Sequence, residues 1–379
     1  MVRGRGAGVW CFDSGPLSYD GTFDMGTETE ELKAMLTGTP KKKKRRSSQD
    51  LLSTGSKVLN LACSGKAKGG FYKGMYVFLV GDSSSGKTFL SLTCLAEAAI
   101  NPEFDDYRFI LDEPEGGAQM DITKFFGPKV KQRLERRSSA SIEDFYYSTD
   151  DDIQDGRPFI KILDSMDSLS SDDEESKFQE QKTAARKGKT AAGSFGDGKA
   201  KKNSQNIRRL LRFLRRTGSI LIIISQTRDN LGFGFEKKTR SGGRALRFYA
   251  DLEIWSSIGG KITKDVLGTK RKLGINCKID IKKNRLTGDE ASVMVPIYKS
   301  IGMDDLGGCV DYLVTEGRFK KVQGGISAPD FEFKGTKEKL IRLIENDERE
   351  QELFLLVSEV WNEIQEKCTV TRKSKYHDE

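Results

Sequence analysis

The stretch that decides the fold is Gly81-Asp82-Ser83-Ser84-Ser85-Gly86-Lys87-Thr88, which fits the pattern G-x-x-x-x-G-K-[ST]. An apolar run that predicts a strand, Met75–Val80, comes directly before it, and residues 88–100 predict a helix. Glycines allow backbone N–H groups to converge on phosphate oxygens, and the N-terminus of the following helix adds its dipole. A strand, this turn and a helix therefore predict a phosphate-binding loop for a nucleotide.

The pattern also predicts roles for side chains in and near the loop. Lys87 is expected to reach the β- and γ-phosphates of ATP, and Thr88 is expected to ligate Mg²⁺. Holding Mg²⁺ through water requires a partner carboxylate, which should end a buried strand. Residues 159–163 predict such a strand, and Asp164 follows it directly. Asp164 is therefore the candidate partner of Thr88 at the metal.

Hydrolysis of a bound triphosphate needs a group that orients or deprotonates water. The chain has one histidine, His377, close to its end. A Ser-His-Asp triad, a Cys-His pair and a multi-histidine metal site are therefore not expected, because termini rarely host catalysis. A carboxylate is the default base, and Glu113 and Glu115 both follow a predicted strand at 108–111. The residues alone leave both glutamates open.

Composition limits the class of protein. Of 379 residues, 36% are hydrophobic and 32% are charged, so a folded core is expected to share the chain with solvated segments. The net charge of +8 favours a polyanionic partner. The six cysteines form no C-x-x-C pair, which argues against a zinc finger and suits a reducing compartment. No apolar run approaches the roughly 18 residues that span a bilayer, so a cytoplasmic protein without membrane contact is expected.

Strand-like runs alternate with helix-like stretches over residues 51–300, which predicts an α/β core with a mostly parallel sheet flanked by helices. Residues 1–50 lack periodicity, end with a basic run at 41–46, and are expected to be a flexible segment. The pattern after residue 300 predicts a small C-terminal α/β domain over 301–368, followed by a tail at 369–379.

Two polar segments interrupt the predicted core. Residues 170–206 are rich in lysine and contain no strand-like run. Residues 229–243 are rich in glycine and place Phe233 and Phe235 among cations. Long irregular segments inside a compact domain are usually functional or disordered. Aromatic side chains that stack on bases, beside cations that neutralise phosphates, are typical of single-stranded nucleic-acid binding.

Several short motifs follow one another over about residues 51–350. They are Ser53-Thr54-Gly55-Ser56, the phosphate-binding loop, the strand with Glu113 or Glu115, Asp164-Ser165, Ser225-Gln226-Thr227-Arg228, Gly242-Gly243-Arg244 and Lys283-Asn284-Arg285. No single motif is specific, but their order and spacing together resemble the RecA family of ATP-dependent DNA recombinases. The resemblance implies a RecA-like core of the P-loop NTPase class, with 170–206 and 229–243 as its two DNA-binding loops.

The resemblance also implies roles for residues outside the phosphate-binding loop. Gln226 would contact the γ-phosphate and report its presence to the second loop. Lys283 and Arg285 would reach the ATP of a neighbouring subunit, as an arginine finger does. Alignment from the strand favours Glu113 as the base, whereas ungapped alignment from residues 125–127 favours Glu115. The implied DNA-binding residues are Arg228, Phe233, Phe235, Lys237, Lys238, Arg240, Gly242, Gly243 and Arg244.

The function implied is that of a DNA-dependent ATPase that forms a helical filament on single-stranded DNA and pairs it with homologous duplex. Two alternatives share this sequence pattern: a ring-shaped helicase or other DNA motor, and a protein that coats or anneals single strands with ATP as a switch. The long first loop and the unfamiliar first 50 residues favour a divergent relative, such as one encoded by a phage. The expected location is then the cytoplasm of a bacterium or of a phage-infected host.

Overall fold

The computed structural model describes residues 47–117, 119–187, 197–229, 238–240 and 244–372. The part from Ser47 onward forms one compact unit. The predicted N-terminal segment, including its basic run at 41–46, lies outside the described residues except for its last few positions. No helix among the described residues is both long and apolar enough to cross a membrane.

The helices and strands are numbered in chain order. The helices are α1 (Lys57–Ser64), α2 (Lys87–Ala99), α3 (Ile122–Phe126), α4 (Pro128–Arg133), α5 (Ile142–Gln154), α6 (Asp172–Arg186), α7 (Asp197–Thr217), α8 (Arg244–Tyr249), α9 (Asp305–Thr315), α10 (Lys337–Asn346) and α11 (Glu350–Lys367). The strands are β1 (Leu51–Leu52), β2 (Phe71–Tyr72), β3 (Tyr76–Gly81), β4 (Arg108–Asp112), β5 (Leu134–Arg137), β6 (Phe159–Leu163), β7 (Ile220–Asp229), β8 (Lys238–Arg240), β9 (Leu252–Val266), β10 (Thr269–Asn284), β11 (Ala291–Tyr298), β12 (Gly302–Met303), β13 (Lys320–Val322), β14 (Gly325–Ala328) and β15 (Phe333–Gly335).

The central sheet has the order β12-β11-β10-β9-β3-β7-β6-β4-β5, with β8 paired to β7. Neighbours from β9 across to β5 run parallel. Neighbours from β9 to β12 run antiparallel. The prediction of a mostly parallel α/β sheet flanked by helices is confirmed. The antiparallel extension was not predicted, since the charged half of β9 and β10 lacks apolar alternation.

Both faces of the sheet are covered, which explains why its strands are continuous apolar runs. In β3, Val77 and Leu79 face a core shared with α1 and α2. Tyr76, Phe78 and Val80 face the opposite core, which α5 and α7 close. This alternation is the two-residue period of a strand. Strand β3 is therefore buried between the two cores, and the loop that follows it starts from a buried strand end.

Residues 170–206 differ from the irregular loop that the sequence predicts, because much of the segment is helical. Ser171 caps α6 in a capping box with Glu174, and the acidic first turn suits the helix dipole. Helix α6 has no buried residue. Its sequence therefore lacks the apolar stripe from which a helix is predicted. Helix α7 likewise begins inside this segment, at Asp197. The DNA-binding role of this segment stays a prediction.

The C-terminal segment packs on the core through α9 and α11. Leu313 and Val357 belong to the same buried cluster as α1. The Lys57 backbone N–H donates to the Asp305 carboxylate at 2.7 Å. A separate small sheet, β13-β14-β15, lies in this segment. The predicted domain boundary near residue 300 stays a prediction, as does the tail from 369, most of which lies outside the described residues.

Candidate functional site

The predicted phosphate-binding loop joins the buried end of β3 to the start of α2. A Cβ atom at Gly81 would lie 2.1 Å from the carbonyl oxygen of Ser256, so only glycine fits there. Gly86 has φ of +90° and faces Cys277 and Ile297, so a side chain there would be both strained and crowded. The two glycines of the motif are therefore required by the packing of the loop against β9, β10 and β11.

Lys87 is buried beneath this loop. Its ammonium donates to the carbonyl oxygens of Gly81 at 2.8 Å and Asp82 at 2.7 Å. Burial lowers the pKa of Lys87, while the nearby carboxylates of Asp164 and Asp82 act in the opposite direction. A charged ammonium held mainly by neutral carbonyls would gain stronger, charge-assisted bonds from phosphate oxygens. The position suits the predicted phosphate contact.

The two predicted magnesium ligands lie side by side. The Thr88 hydroxyl donates to a carboxylate oxygen of Asp164 at 2.5 Å. Burial raises the pKa of Asp164, and Thr88 and Lys87 partly oppose this rise. Mg²⁺ is commonly held by one or two protein oxygens together with substrate phosphates. These donors fit that arrangement, and the described residues contain no cluster of acidic, cysteine or histidine side chains that could hold a metal alone.

Both candidate glutamates border the same cavity of about 200 Å³. Glu113 is 8% exposed, and one of its carboxylate oxygens lies 3.9 Å from the Arg136 guanidinium. Glu115 is exposed and accepts a hydrogen bond from the Ser165 hydroxyl at 3.4 Å. The charge of Glu115 also acts to raise the pKa of Lys87. The residues that line the cavity include Ser83, Ser84, Lys87, Thr88, Glu113, Glu115, Asp164 and Gln226.

Gln226 lies on β7 directly beside Gly81 of β3. Its backbone N–H donates to Asp167 at 2.6 Å, which leaves the side chain to line the cavity. The hydroxyl of the next residue, Thr227, donates to the Asp82 carboxylate. The end of β7 is therefore tied to the phosphate-binding loop at the point where the chain enters residues 230–237.

Lys283 and Arg285 lie away from the cavity of their own chain. Lys283 donates to the carbonyl oxygens of Arg247 and Phe248, both at 2.7 Å. Arg285 donates to the same Phe248 oxygen at 2.7 Å. The two cations therefore lie together at the C-terminal end of α8. Burial, followed by repulsion from Arg285, lowers the pKa of Lys283 to about 8.

Most of the predicted DNA-binding residues fall in or beside the second polar segment. Strand β8 pairs with β7, with Arg240 opposite Thr227 and Lys238 opposite Asp229. Strands β7 and β8 are therefore paired antiparallel on either side of residues 230–237. Arg244 begins α8 and is exposed. Phe233, Phe235, Lys237, Gly242 and Gly243 lie outside the described residues, as do the side chains of Arg228, Lys238 and Arg240.

A second cavity beside the loop was missed by the sequence analysis. It measures about 430 Å³ and shares Ser84, Lys87 and Thr88 with the first. Its walls are mostly apolar, and two lysines lie at its edge. Residues of α2, α3, β10 and β11 line it, and these elements lie far apart in sequence, so no local pattern could have revealed the cavity. Its other lining residues include Phe89, Phe125, Ile275, Ile297, Tyr298, Lys272 and Lys299.

Comparison with known proteins gives a consistent result. The family model described as RecA N-terminal domain matches residues 183–304. The protein named Protein RecA from Thermus thermophilus is 27% identical over 300 residues, covering 76% of this chain and 79% of that protein. Its namesake from Chlorobaculum parvum is 26% identical over 317 residues, with 78% and 79% covered. That from Lactococcus lactis subsp. cremoris is 27% identical over 276 residues, with 72% and 65% covered.

Proposed function

We propose that this chain, a divergent member of the RecA family, is an ATP-dependent recombinase that acts on single-stranded DNA. The observation that carries the proposal is the convergence of Lys87, Thr88, Asp164 and both glutamates on one cavity. These groups supply the cation, the metal ligands and the base that phosphoryl transfer to water requires.

The two adjoining cavities would bind different parts of the nucleotide. The polar cavity of about 200 Å³ takes the β- and γ-phosphates against Lys87 and the backbone of the loop. The larger apolar cavity takes the base and sugar, with Tyr298 and Phe125 as aromatic walls. Mg²⁺, when bound, neutralises phosphate charge and polarises the γ-phosphoryl group. Thr88 and Asp164 are the residues that would hold that ion.

Glu115 is the proposed general base, with Glu113 as the alternative. A base needs access to water and a group that orients it. Glu115 has both, since it is exposed and bonded to Ser165. Glu113 is nearly buried and lies within ion-pair distance of Arg136, which suits a carboxylate that positions the strand end.

Strand β7 is the proposed link between the nucleotide site and the DNA-binding loop. Gln226 lines the polar cavity proposed for the phosphates, and Thr227 is bonded to Asp82 of the loop. A bound triphosphate would therefore favour one arrangement of the residues that follow β7, where the second DNA-binding loop is proposed. Lys283 and Arg285 are turned away from their own cavity. This supports their action on the ATP of an adjacent subunit in a filament on DNA.

The proposal is tested with Lys87→Ala, and Lys68→Ala serves as the control because Lys68 is exposed and borders neither cavity. ATP-dependent binding of single-stranded DNA should be abolished in Lys87→Ala and retained in the control. A Lys87→Ala protein that still bound DNA in an ATP-dependent way would refute the proposal. Electron microscopy of the parent on single-stranded DNA should show open helical filaments, whereas closed rings would instead indicate a motor.

A further inference from the structure

The backbone carbonyl of Ser85, in the phosphate-binding loop, is held by two side chains from other strands. The Ser256 hydroxyl of β9 donates to this oxygen at 2.6 Å, and the Cys277 thiol of β10 donates to it at 3.1 Å. All three residues are buried. Burial also raises the pKa of Cys277 to about 12, so the thiol keeps the proton that it donates at neutral pH.

The hydrogen bonds of helix α2 do not reach this carbonyl. The helix begins at Lys87, and its first backbone bond runs from the Leu90 N–H to the Gly86 carbonyl oxygen at 2.9 Å. The Ser85 carbonyl lies one residue before that point. Buried carbonyl groups are almost always hydrogen-bonded, so the donors on β9 and β10 are what satisfy this one.

The same two bonds set the direction of the next N–H group in the chain. In a planar trans peptide, the carbonyl of Ser85 and the N–H of Gly86 point in opposite directions. The sheet order places β9 and β10 on one side of β3, and β7 and β6 on the other. Because the carbonyl points towards β9 and β10, the Gly86 N–H is directed towards the side of Asp164 and Gln226, where the polar cavity lies.

The Gly86 N–H is available to a ligand on that side. Within the described ranges of the chain it makes no hydrogen bond. Gly86 is the N-cap of α2, and the N–H groups at the start of a helix have no partner within the helix. Such groups bind anions, and the helix dipole adds to the attraction.

We propose that Ser256 and Cys277 are positioning residues for nucleotide binding. Acting together through the Ser85 carbonyl oxygen, they hold the Gly86 N–H in the direction of the nucleotide's phosphates. Ser256 also pairs with Gly81 across β3 and β9, so β9 contacts the loop at its first glycine as well. This inference rests on the proposed function only in taking ATP as the ligand of the loop.

The two donors share one acceptor, so either of them can satisfy it alone. Ser256→Ala and Cys277→Ala should therefore each raise the Kd for ATP by less than about threefold. The double variant should raise it by about tenfold or more, because a hydrogen bond to a charged group contributes a factor of this size. Cys277→Ser in the Ser256→Ala background keeps one donor and should restore most of the affinity.

The test measures the Kd of ATP in the presence of Mg²⁺, without DNA, for each variant of the full chain. The matched control is Ser64→Ala combined with Cys94→Ala, which makes the same two chemical changes at buried residues. Ser64 donates to the Gly69 carbonyl oxygen at 2.5 Å, and Cys94 donates to a carbonyl within α2 at 3.3 Å. Neither residue borders the two nucleotide cavities.

The control should bind ATP as tightly as the parent, even where urea unfolding shows that it has lost as much stability as the double variant. A double variant that binds ATP as tightly as the control would overturn the proposal. So would a failure of Cys277→Ser to restore affinity, because a change in packing would then explain the loss.

The outcomes also separate this proposal from the proposed function. DNA-stimulated hydrolysis in the parent, together with unchanged ATP affinity in the double variant, would refute the positioning role alone. A parent that binds ATP but not DNA, with weakened ATP binding in the double variant, would refute the proposed function alone.

Discussion

The Thr88 hydroxyl and the Asp164 carboxylate are joined by a hydrogen bond of 2.5 Å, although 76 residues separate them in sequence. Thr88 lies in the first turn of α2, and Asp164 directly follows β6. The parallel strands β3, β7 and β6 bring these two ends to the same edge of the sheet. The pair is thus assembled by the fold before any ligand arrives.

Asp164→Asn should weaken the dependence of ATP affinity on Mg²⁺. The amide keeps the size of the side chain and can still accept a bond from Thr88, but it removes the charge that attracts the ion. ATP affinity measured with Mg²⁺ should fall by about tenfold or more, whereas affinity measured with a chelator should change little. Asp106→Asn, at an exposed position, is the control. Equal enhancement by Mg²⁺ in Asp164→Asn and the parent would contradict the assignment.

Glu115→Gln should slow ATP hydrolysis by about a hundredfold or more and leave ATP binding intact, because a general base contributes a factor of this size. Glu113→Gln is the matched comparison, with the same chemical change two residues away. It should have the smaller effect on turnover. Single-turnover hydrolysis and nucleotide binding, measured on both variants, decide which glutamate is the base. A larger fall in the hydrolysis rate of Glu113→Gln than of Glu115→Gln would reverse the assignment.

The activity should depend on pH through Lys283, whose pKa burial lowers to about 8. Arg285 and Arg247 lower this pKa further, while Glu253 and Asp251 oppose them. As the pH rises through about 8, Lys283 loses its proton and can no longer stabilise phosphate charge on a neighbouring subunit. DNA-stimulated hydrolysis should therefore fall with an apparent pKa near 8.

Lys283→Arg tests the origin of that decline, since arginine keeps its charge throughout this range. Its pH profile should stay level where the profile of the parent falls. Lys282→Arg makes the same change at an exposed neighbouring position and should keep the decline. Identical profiles for Lys283→Arg and the parent would assign the decline to another group.

Much of the candidate phosphate site could be located from the sequence because its residues lie close together in the chain. The glycines, Lys87 and Thr88 occur in one short motif, and Asp164 directly follows an apolar strand. The pairing of Glu115 with Ser165 could not be predicted, since it depends on how two strand ends meet. The apolar cavity with Tyr298 was missed for the same reason.

The fold was predicted where burial leaves a periodic pattern and missed where it does not. The strand at 159–163 was located correctly because every residue in it is buried. Helix α6 buries no residue, so its polar sequence resembles a loop. The outer halves of β9 and β10 are exposed and charged, so only backbone pairing reveals them.

Asp305→Asn should stabilise the protein near neutral pH. Burial raises the pKa of Asp305 from 3.8 to about 6, and the Lys57 N–H only partly opposes this. The folded state thus binds this proton more tightly than the unfolded state, so the stability it contributes is present below pH 3.8 and lost as the pH rises through about 6. The asparagine variant should gain on the order of 3 kcal/mol at pH 7.

Urea unfolding of the Asp305→Asn variant and the parent across about pH 4 to 7 measures this difference. The difference in the free energy of unfolding between the variant and the parent should widen as the pH rises from 3.8, the ordinary pKa of an aspartate, to about 6, its pKa in the folded protein. A gap that is constant with pH would show that Asp305 does not titrate between these states.

The measurement that tests the central claim most directly is the rate of ATP hydrolysis with and without single-stranded DNA, at low and at high salt. The account predicts strong stimulation by DNA that weakens as salt rises. Gln226 lines the nucleotide cavity and Thr227 is bonded to Asp82, so the two would couple that cavity to the proposed cationic DNA-binding loop. Hydrolysis at the same rate with and without DNA would contradict it, and would leave an ATPase whose second loop serves another partner.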